Sequence, residues 1–127
     1  MELTNEHAFN VMDESVKKFG ELYIIYVMTR SQKRIDSYIN GKCTAPDAIK
    51  LREELNSFNP AQIETLKKFI FETITSCMFN TMIMINENDD IHLTVEHNDE
   101  NIEIKEVSDG LEGDMWFWID WWGNLQE

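Results

Sequence analysis

Ile91-His92-Leu93-Thr94-Val95-Glu96-His97-Asn98-Asp99-Glu100-Asn101-Ile102-Glu103-Ile104-Lys105 is the stretch that decides the fold. Ile91, Leu93 and Val95 alternate with His92, Thr94 and Glu96, and Ile102 and Ile104 alternate with Glu103 and Lys105. A period of two marks a half-buried strand, and Asn98-Asp99 between the two runs is turn chemistry. The stretch predicts an antiparallel hairpin with one buried face and one largely acidic face.

Upstream, the period is that of helices. Thr4 or Asn5 caps a first helix whose apolar positions are Ala8, Phe9, Met12, Val16 and Phe19, with Gly20 as a point of interruption. Residues 22–28 are apolar on all sides and read as a buried helix or as a strand. Ser31 caps the next helix, with Ile35, Tyr38 and Ile39 facing inward and Asn40-Gly41 as a left-handed C-cap. Pro46 suits the first turn of a short helix carrying Ile49, Leu51 and Leu55. Asn59-Pro60 opens the longest helix. Its inward positions are Ile63, Leu66, Ile70, Ile74, Cys77 and Met78, continued by Met82 and Ile85, with Thr73 as a polar interruption.

Downstream of the hairpin comes the loop Ser108-Asp109-Gly110-Leu111-Glu112-Gly113-Asp114 and then the aromatic residues 115–122. The aromatic run predicts a third strand. Met115, Phe117, Ile119 and Trp121 would share one face, and Trp116, Trp118, Asp120 and Trp122 the other; a terminal helical turn is the alternative. Helices first and strands last predict an α+β fold, with N-terminal helices packed on a small C-terminal antiparallel sheet. At 127 residues the chain reads as one domain, mainly helical over 1–86 and an acidic β part over 87–127.

The charge is regional. Residues 87–127 hold 13 acids against one base, Lys105, for a net −12; residues 1–86 hold the other 10 bases and 11 acids, for a net −1. The acidic third also contains Ile, Leu, Val and all four Trp, which argues against a disordered acidic tail. A single-sign field costs stability through self-repulsion, so a solvated face alone does not account for it. An electrostatic binding surface for a basic protein partner does. The candidate contacts are Glu96, Glu103, Glu106, Asp109, Glu112 and Asp114, with Trp116, Trp118 and Trp122 as desolvated anchors.

Other chemistries find little support. Residues 86–90 begin like a calcium loop, but Ile91 stands where the sharp turn needs Gly, and His97 where a bidentate Glu belongs. Asp109, Glu112 and Asp114 form at most a loose set for a hard cation. His92 and His97, five apart on a strand, point to opposite faces and cannot share a zinc ion. The chain has neither a GxSxG elbow nor a phosphate- or dinucleotide-binding glycine pattern, so no enzyme activity, metal or cofactor is expected. Cys43 and Cys77 form no CxxC pair, and a disulfide between them is possible but unforced. The first ten residues have neither a basic region nor an apolar core, and no apolar run approaches the roughly 20 residues of a membrane span. A soluble cytoplasmic protein is expected.

Two resemblances add to this reading. The string from Ser31 to Lys42, with Lys33 and Arg34 ahead of Ile35 and Gly41-Lys42 closing the helix, resembles the recognition helix of phage-repressor-type helix-turn-helix domains. That resemblance implies DNA contacts at Lys33 and Arg34, in a segment (residues 30–52) of net +4. It departs upstream, where Val27-Met28-Thr29 lacks the turn glycine, and the acidic third opposes approach to phosphates. The second covers roughly residues 58–122. The Asn59-Pro60-Ala61-Gln62 helix start, the acidic hairpin, Ser108-Asp109-Gly110-Leu111-Glu112-Gly113-Asp114 and a following Trp resemble small acidic bacterial immunity proteins of polymorphic-toxin and contact-dependent-inhibition systems. It implies a non-enzymatic inhibitor that binds a basic toxin domain such as a nuclease. Nucleic acid and membrane are not expected partners of such a protein.

Overall fold

The computed structural model describes residues 5–123. The cap expected at Thr4 or Asn5 lies outside the described residues and side chains. The fold is α+β, 75% helical with one two-stranded antiparallel sheet on the C-terminal side.

Helix α1 spans Asn5–Asn10 and α2 spans Glu14–Tyr23. The sequence predicts one helix here, and Asp13 splits it. Its carboxylate accepts from the Ser15 backbone N–H at 2.9 Å and starts a new helix. The next turns are π-helical over Ile24–Thr29, and α3 follows over Arg30–Ile39. Backbone at Tyr23, Ile24, Thr29 and Arg30 is right-handed helical, so the chain runs from Glu14 to Ile39 without a turn. Ser31 therefore caps nothing, and residues 22–28 are helix rather than strand. Of these, Ile24 and Met28 are buried, while Leu22, Tyr26 and Val27 are exposed.

Gly41 ends the rod with φ +79°, the left-handed cap that the Asn-Gly pair predicts. Helix α4 follows over Pro46–Glu54, then a 3-10 turn over Leu55–Ser57. Helix α5 spans Pro60–Glu87. A capping box starts it: the Asn59 side chain accepts from the Gln62 N–H, and the Gln62 side chain accepts from the Asn59 N–H, both at 2.9 Å.

The hairpin is β1 (Thr94–His97) paired with β2 (Glu100–Glu103), in the register Val95↔Ile102 and His97↔Glu100. Asn98 and Asp99 both take positive φ, as a two-residue hairpin turn demands. The ladder extends one bond further, from the Ile104 N–H to the Leu93 carbonyl, before the chain turns into the short helix α6 (Ile104–Val107). The predicted strand over Ile91–Leu93 thus lies outside the two strands, joined to the ladder only through the Leu93 carbonyl.

The expected third strand is a helix. Residues Leu111–Trp118 form α7, and π-helical turns continue over Ile119–Gly123. The physical reason lies in the spacing. In a run where nearly every residue is apolar, strand alternation has no contrast. Leu111, Met115 and Trp118 recur at four and three residues, and all three are fully buried. They join Val16, Ile24, Met28, Met78, Met82, Ile85 and Ile104 in the core. Trp118 lies at its centre, at 5.7 Å from the Phe19 ring and 6.4 Å from Tyr23, with Nε1–H donating to the Met12 sulfur at 3.2 Å. Gly20 makes this possible: a Cβ there would lie 2.5 Å from the indole. A mid-helix glycine costs about 1 kcal/mol against alanine, and here the burial of an indole offsets that cost.

The open end is different. No residue of α3 is buried, Ala48 is the one buried residue of α4, and α5 buries only Met78, Met82 and Ile85, all in its last third. Ile35, Tyr38, Ile39, Ile63, Leu66 and Ile70, expected inward, are half-buried; Ile49, Leu51 and Cys77 are exposed. Cys43 and Cys77 are both free thiols. No described helix is long and apolar enough to cross a membrane.

Candidate functional site

The predicted contact residues separate into an exposed set and an engaged set. Glu96 on β1, Glu106 on α6 and Asp109 are exposed to solvent. Glu103 is not free: its carboxylate pairs with His92 Nδ1 at 2.5 Å and with Lys105 Nζ at 3.8 Å. The hydrogen bond from His92, ahead of the nearby positive charge, holds the Glu103 carboxyl below its ordinary pKa. Glu112 is half-buried, with its Oε2 buried and without a hydrogen-bond partner.

Asp114 lies in the first turn of α7 and accepts from the Ser108 hydroxyl. Burial pushes its carboxyl above its ordinary pKa, the Ser108 bond pulls it back, and the neighbouring charges of Asp109 and Glu112 raise it further. Ser108 Oγ also accepts from the Gly110 N–H at 3.0 Å, and Gly110 itself takes φ +137°. The acidic loop is therefore held in shape by its own polar groups and not displayed as a free strand of carboxylates.

That loop forms one wall of a cleft of about 270 Å³. Ala8, Val11 and Met12 line the α1 side, with Asp13 at the head of α2, and residues 107–110 with Gly113, Asp114 and Phe117 line the other. Three acidic residues, Asp13, Asp109 and Asp114, line this space. Asp13 is kept below its ordinary pKa, first by the Ser15 hydroxyl and then by the Ser15 N–H. With the Asp13 carboxyl lowered and the Asp114 carboxyl raised, the cleft holds carboxyls of unequal acidity. A guanidinium or ammonium group entering it would gain charge-assisted hydrogen bonds. Among the described residues no group of three His, Cys, Asp or Glu side chains has metal-binding geometry.

The tryptophans divide differently from the alternation the sequence predicts. Trp118, expected on a binding face, is 0% exposed and belongs to the core. Trp116 is 48% exposed and packs on Phe79 at 5.6 Å. Trp121, expected on the face opposite Trp122, is exposed and stacks on Phe9 at 4.5 Å; Trp122 is half-buried, edge-on to the same ring at 4.9 Å. A helix sends residues two apart to different sides, and this separates Trp116 from Trp118, which a strand would put on one face.

Sequence reasoning missed two cations. Lys105, the lone base of the acidic third, donates to the carbonyls of Asn88 at 2.7 Å, Ile91 at 2.5 Å and Ile85 at 3.4 Å, closing the C-terminal end of α5. Its isolation among acids was the available signal. Lys18 on α2 donates to the Glu96 carbonyl at 3.1 Å and ties the hairpin to the helices. Lys33 and Arg34 are both exposed on α3, but no turn precedes that helix, so the two-helix arrangement of a helix-turn-helix is not formed there.

No family model, no curated protein and no solved structure matches this chain.

Proposed function

We propose that this chain is a non-enzymatic immunity or inhibitor protein that binds and neutralises a basic protein partner, a toxin domain such as a nuclease, in the cytoplasm. The observation that carries the reading is the cleft lined by Asp13, Asp109 and Asp114, one wall of which belongs to the segment of net −12. A basic side chain of the partner enters the cleft, and the exposed Glu96, Glu106 and Asp109 steer its approach. Trp116 and Trp121 supply exposed aromatic surface beside these charges. Glu103, Glu112 and Asp114 shape the surface more than they display charge. In the resembling immunity proteins the same acid-rich string precedes a Trp, which supports the class of function and not a mechanism.

A DNA-binding regulator is the second reading. It keeps the exposed Lys33 and Arg34 in its favour but lacks the turn that presents a recognition helix.

Co-expression with the product of the adjacent reading frame tests the proposal. The unmodified protein is expected to restore growth and to co-purify with that product, with affinity falling as salt rises. Glu106→Lys combined with Asp109→Lys is expected to abolish both while circular dichroism stays unchanged. Growth and co-purification that survive the reversals would sink the reading. Binding of duplex DNA at low salt, lost in Lys33→Ala with Arg34→Ala, would favour the regulator instead.

A further inference from the structure

The open end of the molecule carries a groove of about 540 Å³ between α3, α4 and the first half of α5. Ile35, Tyr38, Ile39, Leu51, Phe58 and Leu66 are among its lining residues, and exposed Glu54 is the one charged residue that lines it. This volume falls in the range of built binding sites, and grooves between helices are a common place for them. Leu51 is 50% exposed, Phe58 42% and Phe69, just outside the groove, 70%. Apolar surface of this kind, rimmed by polar residues, marks an interaction site.

The rim has a sign. Residues 30–70 hold eight bases and five acids, net +3, which leaves three bases against nineteen acids elsewhere, net −16. Asp36 is already paired with Lys67 at 3.1 Å. Arg34 donates to the Tyr38 hydroxyl at 3.0 Å and Arg52 to the Asn56 side chain at 3.1 Å, both neutral partners. Arg34 also lines a hollow with Ile35 and Ile70, and Arg52 one with Ile39, Leu55, Phe58 and Glu64, so both cations flank the groove; Glu64 itself lies 3.9 Å from Lys67. Neither has a carboxylate partner among the described residues.

We propose that this groove docks an acidic amphipathic helix of a partner protein. The helix lays its apolar face on Ile35, Leu51, Leu66 and their neighbours, and carboxylates along its edges meet Arg34 and Arg52. Its chemistry is the opposite of that taken by the acidic cleft, so the two sites hold different segments. A second copy of this chain is a poorer occupant. The exposed Trp116 of the acidic part packs on Phe79, and Ile70 of the groove precedes Phe79 by nine residues, about 180° around α5. With the complementary surfaces on opposite sides, copies would join head to tail into an open chain and not into a closed dimer. Anionic lipid suits the groove but is repelled by the rest of the molecule.

Fluorescence anisotropy with two labelled leucine-faced helical peptides of about five turns (~27 Å) tests this, one edged with Glu and one with Lys. The Glu-edged peptide is expected to bind at least about tenfold tighter, and Leu51→Glu to weaken it by about tenfold with an unchanged melting curve. Leu51 is half-exposed, so the variant retains its fold; Arg52→Glu reads the charge contribution separately. Absence of binding by either peptide would overturn the proposal, as would equal affinity for both. So would preferential binding to vesicles containing anionic lipid, or self-association in sedimentation that Leu51→Glu removes. None of these outcomes bears on the acidic cleft, whose test uses Glu106 and Asp109.

Discussion

The two halves of α5 carry apolar stripes of similar quality and meet different fates. Its C-terminal half buries Met78, Met82 and Ile85 under α7, the π-helical turns before α3 and the elements around the hairpin. Its N-terminal half leaves Ile63, Leu66 and Ile70 half-covered and Phe69 exposed, although α3 packs against α5 and α4 against α3. The difference is what returns to cover each half. The aromatic C-terminal segment folds back as a helix and delivers Trp118 to one end. Among the described residues no segment returns to the other. A helix stripe thus records the wish to be buried and not the partner that buries it, and the uncovered half is where a partner protein has apolar surface to use.

Substitutions that break this contrast differ in size. The largest effect is expected at the packed end. Trp118→Ala should cost about 3–5 kcal/mol, measured by urea unfolding, whereas Leu51→Ser at the open end should stay within about 0.5 kcal/mol. Equal losses at the two positions would remove the distinction between the ends. Gly20→Ala tests the same packing from the other side, since the added methyl meets the indole.

Lys105→Met ranks next. It leaves the carbonyls of Asn88 and Ile91 without their donor and removes a cation from the end of α5. A loss of about 2–3 kcal/mol is expected, with hydrogen exchange quickening first in the last turn of α5. A change indistinguishable from zero would show that the lone base of the acidic third is not structural.

The smallest effect concerns Asp114. Its raised pKa means that the folded state holds this proton more tightly than the unfolded chain does. Stability from the group is therefore complete below the ordinary carboxylate pKa and declines as pH rises through the folded value. Asp114→Asn keeps an acceptor for Ser108 and removes the ionisation. The variant should melt about 2 °C higher at pH 7, with the gain vanishing below about pH 4. Glu103 has the opposite sign: its lowered pKa contributes stability above the ordinary value, lost as pH falls through the folded one.

Much of the architecture was legible beforehand. The hairpin, its turn at Asn98-Asp99, the Gly41 cap and the start of α5 at Asn59 depend on neighbours within a few residues, and local chemistry fixed them. The helical spacing of Leu111, Met115 and Trp118 was also written in the chain, but Trp116 and Phe117 between them and Ile119 after them masked it. Of the candidate site, the region was legible and the roles were not. Glu96, Glu106 and Asp109 are exposed as expected, whereas Glu103 and Asp114 are engaged by His92 and Ser108, and Trp118 is in the core. The hairpin register places His92 diagonal to Glu103, but no spacing rule brings α1 to the loop after α6.

By itself the sequence determined the run of helices followed by a hairpin, several of the caps and turns between them, and the concentration of negative charge in the last third. These follow from backbone preference, period and composition, which act over a few residues. Only the tertiary structure decided which tryptophan is buried, which carboxylates stay free, where the cleft lies and which half of α5 is left uncovered. Those outcomes depend on contacts between segments far apart in the chain, such as Trp118 with Gly20 and Lys105 with Ile85, and pairwise packing of this kind has no signature in either segment alone.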